Sequence, residues 1–542
     1  MTTSFTQRKT SKAIALIFLG LAGLLAGTFN ASATHGSCSA TIPQTITQSI
    51  KICDGNYTVS DVNITGNNVT VACSPGTVLK GIPSAPWPQS SGFRVLADNV
   101  TIQGCHMEGF YSAIEAFTGG WKNLTIKENA FFGFDQFPIN GVVVINESAL
   151  VSNNYFKNVS APWFESTHLQ LVENTFEGMP NTINVYMPSP LFTSEIRGNI
   201  LNAQGSLYPL ELTGLQISGA GNALVKENHF EGFYNGLWVV GSMHATIAKN
   251  RFKDNGTGVS VLFASPIPLA DQSREITENF FQSSKTRDIA ITGEIYEHFP
   301  SVFISKNTEQ DVKGTGIELL VYTTPIIADN IIQLAPEGKY GIRSQLKQHN
   351  GVISNNRIQM NANSSGTGMG ISVEKTLFAP PTGTMNIKEN LIQGTGQGTG
   401  IAVKQAKDVQ VSQNIVKGFD APAGGTGISL NDIIGVLVSW NRLQSNFINL
   451  YIGNAFDVSV SANDFYIGSP TQAQDSGTNT KWATFDQSTG KVFGNWFSDY
   501  FRPVQGCIDT TPLPLGDGFC DTGYYVQPSN VEALAAVHAY NS

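Results

Sequence analysis

The sequence has little charge, few histidines and no CxxC pair. Only 13% of its 542 residues are charged and eight are histidine; 32 Lys and Arg against 41 Asp and Glu give a net charge of −9. An acidic chain lacks the basic face that neutralises phosphates, so we expect no nucleic-acid partner, and the same charge weakly disfavours a polyanionic substrate. Dispersed histidines and widely spaced cysteines predict no metal site and no cofactor.

Long apolar runs are also absent beyond the N-terminus. Residues 13–29 are apolar, follow three basic residues and precede small residues at Ala31 and Ala33. This order is typical of a secretory signal peptide, which we place at 1–33, with a retained membrane anchor as the alternative. Removing the three leader charges takes the net charge from −9 to −12. We therefore expect a secreted, periplasmic or cell-surface protein with no membrane span after cleavage.

A short motif recurs along the rest of the chain: an alternating apolar run, an asparagine, and an apolar residue two positions later. Residues 124–131 show it, with Asn129 and Phe131 in the two marked positions. The recurring asparagines are Asn129, Asn154, Asn174, Asn199, Asn228, Asn250, Asn279, Asn307, Asn330, Asn356, Asn390, Asn414, Asn441, Asn463 and Asn495. Their mean period is about 26 residues, which indicates a solenoid rather than separate domains. Within each run, apolar and polar residues alternate with period two, and the runs are too short for helices. We therefore predict that each repeat forms one coil of β-strands.

The marked positions have separate expected roles. Asparagine tolerates the left-handed turn conformation and can form a hydrogen-bonded ladder between stacked coils. The residue two positions on, such as Phe131, should stack inside the coil. One repeat departs from this pattern, because Glu309 follows Asn307 at the apolar position. A buried carboxylate without a partner is unfavourable, so we expect that coil to be locally irregular.

These repeats resemble those of right-handed parallel β-helix proteins, the pectin-lyase-like superfamily. Cys38, Cys53 and Cys73, followed by residues 97–102, resemble the start of bacterial secreted members. The resemblance covers roughly residues 38–500. It implies an all-β, single-stranded right-handed parallel β-helix of about 15–17 coils with short terminal caps. It does not specify an activity, because this scaffold carries unrelated functions.

The predicted domains are the leader, a β-helix at 34–500 whose first part (34–105) forms N-terminal cap coils, and a C-terminal segment, 501–542. An even cysteine count behind an export signal favours disulfides. Of the connectivities open to six cysteines we expect neighbour pairing: Cys38–Cys53, Cys73–Cys105 and Cys507–Cys520. A capping box at Ser529 and Glu532 predicts a short helix over 531–540, which would cover the open end of the solenoid.

A second column of alternating residues predicts an outward sheet face that carries Trp163, Glu165, Tyr186, Glu211 and Trp238. Coils stack at about 4.8 Å, so Glu165 and Glu211, two coils apart, would be roughly 10 Å apart. That separation is near the upper end of the range for an inverting glycosidase, which makes them the candidate catalytic carboxylates. The three aromatic residues are candidate substrate-binding residues, because a sugar ring can stack on them. An exposed face with solvated carboxylates is the alternative.

Other features are weaker. Glu318 should lie one coil from Arg343, as a surface ion pair or as part of a lyase or epimerase site. The charged stretch 287–298 predicts an exposed loop. The signatures of polygalacturonases, pectate lyases and mannuronan epimerases are missing. Copper delivery, known among exported β-helix proteins, lacks a paired-His or Met-rich motif here.

The favoured function is therefore contact with extracellular polysaccharide, by binding alone or with cleavage as a glycoside hydrolase or lyase. The alternative is a non-catalytic surface, structural or adhesion protein. We expect a monomer in either case.

Overall fold

The computed structural model describes most of the chain after the leader. The described residues are 38–82, 91–116, 121–133, 142–160, 162–204, 212–241, 244–263, 273–293, 301–320, 324–346, 351–361, 368–375, 384–422, 424–466 and 471–482, with short strands between 484 and 536. Every regular element in these ranges is a β-strand. No helix in the described part of the chain is long and apolar enough to cross a membrane. The predicted signal peptide, 1–33, lies outside the described residues.

The strands form a solenoid in which each coil contributes one strand to each of three parallel ladders. The first ladder comprises Thr45–Ile46, Val62–Ile64, Ser91–Val95, Ser112–Ala116, Val142–Ser152, Trp163–Val172, Ile183–Met187, Thr213–Gly219, Asn235–Gly241, Thr257–Phe263, Arg287–Gly293, Thr315–Leu320, Tyr340–Leu346, Met369–Lys375, Gly398–Lys404, Gly425–Asn431, Ile448–Gly453 and Thr471–Asp475.

The second ladder comprises Ile50–Ile52, Thr70–Cys73, Thr101–Gln103, Leu124–Lys127, Thr193–Arg197, Asn222–Lys226, His244–Ala248, Arg274–Thr277, Ser301–Ser305, Thr324–Ala328, Gly351–Ser354, Met385–Lys388, Val409–Ser412, Leu437–Ser439 and Ser459–Ser461. The long strands Val142–Ser152 and Trp163–Val172 run through the first ladder into the second.

The third ladder comprises Gly55–Thr58, Thr77–Lys80, His106–Glu108, Ala130–Phe132, Tyr155–Lys157, Thr175–Glu177, Ile200–Asn202, His229–Glu231, Arg251–Lys253, Phe280–Gln282, Thr308–Val312, Ile331–Leu334, Arg357–Met360, Leu391–Gln393, Ile415–Lys417, Arg442–Gln444, Asp464–Tyr466 and Asn495–Phe497. The predicted all-β parallel solenoid is confirmed. Fourteen turns separate Asn129 from Asn495, about 67 Å of rod at ~4.8 Å a coil, and further coils precede them.

The recurring asparagines form the predicted ladder at the turn between the second and third strands of each coil. Asn129 donates through Nδ2 to Oδ1 of Asn154 at 3.1 Å, and Asn154 donates to Asn174 at 2.9 Å. The same contact repeats from coil to coil as far as Asn495. Each acceptor oxygen also receives the backbone N–H of the preceding ladder asparagine. The ladder therefore satisfies buried amides that a sharp turn would otherwise leave unpaired.

The left-handed residue of this turn is not the asparagine. Among the described residues φ is +58° at Glu128, +56° at Glu173 and +56° at Glu278, each immediately before a ladder asparagine. The expectation that the asparagine itself takes this conformation is wrong. Its backbone and amide are held by the ladder, so the preceding residue turns the corner.

The core is a stack of apolar side chains inside the coil. The Phe131, Phe156 and Phe176 rings are parallel, with centroids 4.7 and 4.6 Å apart. A second stack follows farther along the rod, where the Phe252 ring lies 4.9 Å from each of its two neighbours, Phe230 and Phe281. These side chains are at most 1% exposed, as predicted from their position two residues after the asparagine.

The coil with Glu309 keeps its asparagine, because Asn307 stays in the ladder. The register shifts between Glu309 and Val312, so the predicted irregularity is present. The carboxyl group is nevertheless inside the core: Glu309 pairs with Phe281 and Ile332 on either side and is fully buried.

Two predicted disulfides are confirmed, Cys38–Cys53 and Cys73–Cys105. The Cys507–Cys520 bridge lies outside the described residues. The described part of the predicted C-terminal helix consists of strands, Asn530–Glu532 and Ala535–Ala536. Ala535 pairs in parallel with Asn495, so strand pairing, rather than helix packing, covers this part of the exposed edge.

Candidate functional site

The outward face of the first ladder is where the coils differ most in chemistry. The strand register aligns Trp163, Asn184, Gln216 and Trp238 in one column across four successive coils. Trp163 is 40% exposed, and the other three are half-buried. We call these four residues the tryptophan column. It presents an aromatic group at each end and two side-chain amides between them.

A neighbouring outward column contains the other two predicted residues. Glu165 and Tyr186 are direct cross-strand partners on adjacent coils. Ser218 follows Tyr186 and Val240 follows Ser218. Tyr186 is 37% exposed and Glu165 is half-buried. The structure therefore brings a carboxylate and a phenol together beside the tryptophan column.

Glu211 is not part of either column. It lies outside the described residues, and the first-ladder strand of its coil is Thr213–Gly219. In that strand Leu215 and Ile217 point inward, while Gln216 and Ser218 occupy the outward positions assigned to Glu211 and Thr213. The prediction assigned the strand to residues 209–213, because these residues also alternate between apolar and polar. The sequence does hold the correct signal, since Gly214-Leu215-Gln216-Ile217 matches Gly236-Leu237-Trp238-Val239.

The Glu318–Arg343 contact is confirmed as a cross-strand ion pair, with Arg343 Nη1 3.0 Å from Glu318 Oε1. Arg287 binds the other carboxylate oxygen, and the Tyr340 ring lies 5.0 Å from the Arg343 guanidinium. Glu318 is only 2% exposed, so this is a buried carboxylate held between two arginines. With both of its oxygens bound to arginines, Glu318 itself is not free to act as the base of a lyase or epimerase. Of the other predicted neighbours, Tyr322, Lys347 and His349 lie outside the described residues.

The predicted exposed loop at 287–298 is wrong over its first part. Arg287–Gly293 is a first-ladder strand, and within it Asp288 is fully buried. The remainder, from Glu294 to His298, lies outside the described residues. Charge content alone misled the prediction, because the segment also contains the alternation Ile289-Ala290-Ile291 of an inward-facing strand.

Sequence reasoning missed an ionic cluster near the N-terminal end of the same face. Glu115 is 1% exposed and accepts a hydrogen bond from Ser91 Oγ at 2.5 Å. Arg94 lies between Glu115, 3.6 Å away, and Asp61, at 2.8 Å. Aligning Phe93 with Ile114 would have placed Arg94 and Glu115 side by side. Because Arg94 contacts both carboxylates, we interpret the cluster as a structural ion network. It does not offer Glu115 as a free catalytic acid.

The described residues contain no group of three or more His, Cys, Asp or Glu that could hold a metal. The described histidines lie apart and contact other groups: His229 is 3.0 Å from Glu231, and His244 is 2.8 Å from Ser273. His106 stacks on Phe132.

Two protein-family models match parts of the chain. Residues 60–297 match the family described as periplasmic copper-binding protein (NosD), and residues 264–416 match the right handed beta helix region. Together with the parallel ladders, these matches identify the fold. The chain is a right-handed parallel β-helix protein. No curated protein matches the sequence.

Solved structures similar to this β-helix protein include tailspike proteins of E. coli bacteriophage HK620. A tailspike double mutant has a TM-score of 0.41 at 11% identity, with 77% of this chain and 72% of the tailspike covered. A tailspike mutant in complex with a hexasaccharide has a TM-score of 0.43 at 9% identity, covering 78% and 74%. A PL6 alginate lyase complex with trisaccharide has a TM-score of 0.27 at 12% identity, covering 83% and 86%. Likenesses this distant carry no argument about ligand or activity.

Proposed function

We propose that this β-helix protein binds an extracellular polysaccharide along the outward face of its first ladder. The observation that carries the proposal is the tryptophan column. Trp163 and Trp238 lie three coils apart, about 14 Å along the rod, with Asn184 and Gln216 between them. Half-exposed aromatic rings offer an apolar platform, and the amides between them can both donate and accept hydrogen bonds. That combination suits an extended glycan better than a protein partner, which would need a larger apolar patch.

Cleavage is the second part of the proposal and rests on Glu165. Its neighbour Tyr186 is close enough in register to share a substrate with it. Glu211 stays the proposed second carboxylate of a hydrolase. With one carboxylate beside a tyrosine in the described residues, acid–base elimination is as consistent with this face as hydrolysis.

The two disulfides support export, because such bridges form and persist in oxidising compartments. Secretion to the periplasm or the cell surface is therefore part of the proposal, in agreement with the predicted signal peptide.

The experiment is a panel of neutral and acidic polysaccharides incubated with purified protein. Binding is measured directly, and cleavage by new reducing ends and by absorbance at about 235 nm, where unsaturated lyase products absorb. We expect at least one glycan to bind and Trp238→Ala to weaken it. The matched control is Phe303→Ala, which removes an exposed aromatic from the second-ladder face. Binding unchanged by Trp238→Ala would overturn the proposal. Absence of binding across the panel would favour the structural or adhesion alternative.

A copper-related role is a second candidate, on the family match over residues 60–297 alone. The described residues do not fit it: Cys38, Cys53, Cys73 and Cys105 are in disulfides, and methionines such as Met107 and Met187 are buried in the core. Copper prefers exposed thiolate, thioether or imidazole ligands. Metal analysis after incubation with copper and gel filtration tests this role. Stoichiometric retention would replace the polysaccharide proposal.

A further inference from the structure

A column of glycines begins the first-ladder strands through the middle of the rod. The strand register aligns Gly236, Gly258, position 288, Gly316 and Gly341 on successive coils. These positions face inward against the third-ladder strand of the same coil. A Cβ on Gly258 would lie 2.6 Å from the Phe281 ring, and one on Gly341 would lie 2.8 Å from Ile358. Glycine is needed here because the core side chain fills the space that a Cβ would occupy.

Position 288 is the exception, and its packing partner is exceptional too. The residue is Asp288, and the third-ladder residue of the same coil is Glu309, in the place that Phe281 and Ile332 take on neighbouring coils. Both carboxylic acids are fully buried. A glycine and a large apolar residue have thus been replaced together by two acids. The Glu309 side chain is narrower than a phenyl ring. It therefore leaves room for a side chain at position 288, whereas a phenylalanine in its place would not.

No cation among the described residues lies beside the pair. Apart from the Ser284 hydroxyl next to Asp288, the described residues offer these carboxyl oxygens no donor. The nearest charged residue in sequence, Arg287, points outward and binds Glu318. The neighbouring positions on the coils above and below are Gly258, Phe281, Gly316 and Ile332, none of which is charged. Two carboxylates cannot both stay ionised in such a place, so a hydrogen bond between them requires a proton on one.

The proton affinity of the pair follows from this position. Burial raises the pKa of Asp288 to about 7. Burial, and then the charge of Asp288, raise the pKa of Glu309 well above its ordinary value. Both acids thus bind protons more tightly in the folded chain than in the unfolded one. Their contribution to stability is fully present below the ordinary pKa near 4 and is lost as pH rises through the folded pKa of Asp288.

We propose that Asp288 and Glu309 form a pH-sensitive switch in the middle of the rod, which holds its coil closed while the pair is protonated and loosens it as the protons leave. Asp288 directly follows Arg287 in the same strand, and Arg287 binds Glu318 on the outward face. Loosening there would therefore disturb the first-ladder face next to Ser260 and Ala290, which continue the tryptophan column toward Glu318.

Hydrogen–deuterium exchange of the full chain at about pH 5 and about pH 8 tests the switch. Peptides that cover 284–316 are compared with peptides that cover the regular coils at 341–373. After correction for the intrinsic pH dependence of exchange, we expect the first set to lose protection at the higher pH and the second set to keep it. The isosteric variant D288N/E309Q should abolish the loss. The variant D288G/E309I, which restores the pattern of Gly316 and Ile332, is a second way to remove the acids.

Each outcome bears on the proposal. Loss of protection in wild-type protein, absent in either double variant at the same pH, supports it. Equal protection at both pH values in wild-type protein overturns it, and so does a loss that persists in both variants. Protection at the higher pH that depends on added Ca²⁺ and is removed by chelation would also overturn it, because the pair would then hold a cation rather than protons.

Discussion

The inside of the rod and the outward face of its first ladder obey different rules. Inside, the same kind of residue recurs at each position, asparagine at the turn and then phenylalanine or an aliphatic residue, with Glu309 as the exception. Outside, one column reads Trp163, Asn184, Gln216 and Trp238, and three coils farther on it reads Glu318 and Arg343. A residue type that repeats from coil to coil indicates a role in stacking, because each coil must fit the next. Variation at a fixed outward position is free of that requirement, so it can record selection for a ligand.

Removing a stacked ring should have the largest effect on stability. Phe252→Ala deletes a fully buried ring 4.9 Å from each of two others. Loss of transfer free energy and the cavity left behind should cost about 3–5 kcal/mol. Thermal or urea unfolding measures it. Phe303→Ala, on the exposed second-ladder face, is the control and should change stability little. Equal losses in the two variants would contradict the division between inside and outside.

Breaking the asparagine ladder should have the second-largest effect on stability. Asn330 donates to Asn356 Oδ1 and to the Ile304 carbonyl, both at 2.9 Å, and accepts from Asn307. Asn330→Ala leaves these buried groups unpaired, which should cost about 2–4 kcal/mol. Hydrogen exchange should show the loss of protection centred on the adjoining coils. Asn386→Ala, at a half-exposed outward position, is the control and should leave protection unchanged.

Neutralising the buried carboxylate on the outer face should have a smaller effect. Glu318→Gln removes the charge that Arg287 and Arg343 share. Because both arginines can still reach solvent, we expect a loss of about 1–2 kcal/mol. A melting temperature measured at low and high salt checks it, since an ionic contribution should shrink as salt rises. No change at either salt concentration would show that the arrangement is not stabilising.

The sequence alone was enough for the parts that repeat. Asn129 and Phe131 have counterparts on most coils, so period and burial could be read without a structure. Glu211 could not be placed, because a longer connection precedes its strand and two alternating runs compete for the same register. From the sequence, Asp288 is predicted to lie in an exposed loop and the coil of Glu309 is predicted to be irregular. Their contact depends on the path of the chain around one coil, which brings together residues 21 positions apart.

The described part of the predicted terminal helix is strand for a different physical reason. A capping box and one apolar face are local signals, and they favour a helix when nothing competes. An exposed strand edge does compete, because its unpaired backbone groups bind another strand. The Ala535–Asn495 pairing is that outcome.

The most direct test of the account is the double variant Trp163→Ala/Trp238→Ala, measured for both stability and affinity toward whichever polysaccharide the wild-type protein binds. If function resides on the outward face, the melting temperature should stay close to that of wild type. Affinity should fall about tenfold or more, as two stacking contacts of about 0.5–1.5 kcal/mol each imply. A variant that loses stability but keeps its affinity would contradict the account, because the tryptophan column would then serve the fold and not the ligand.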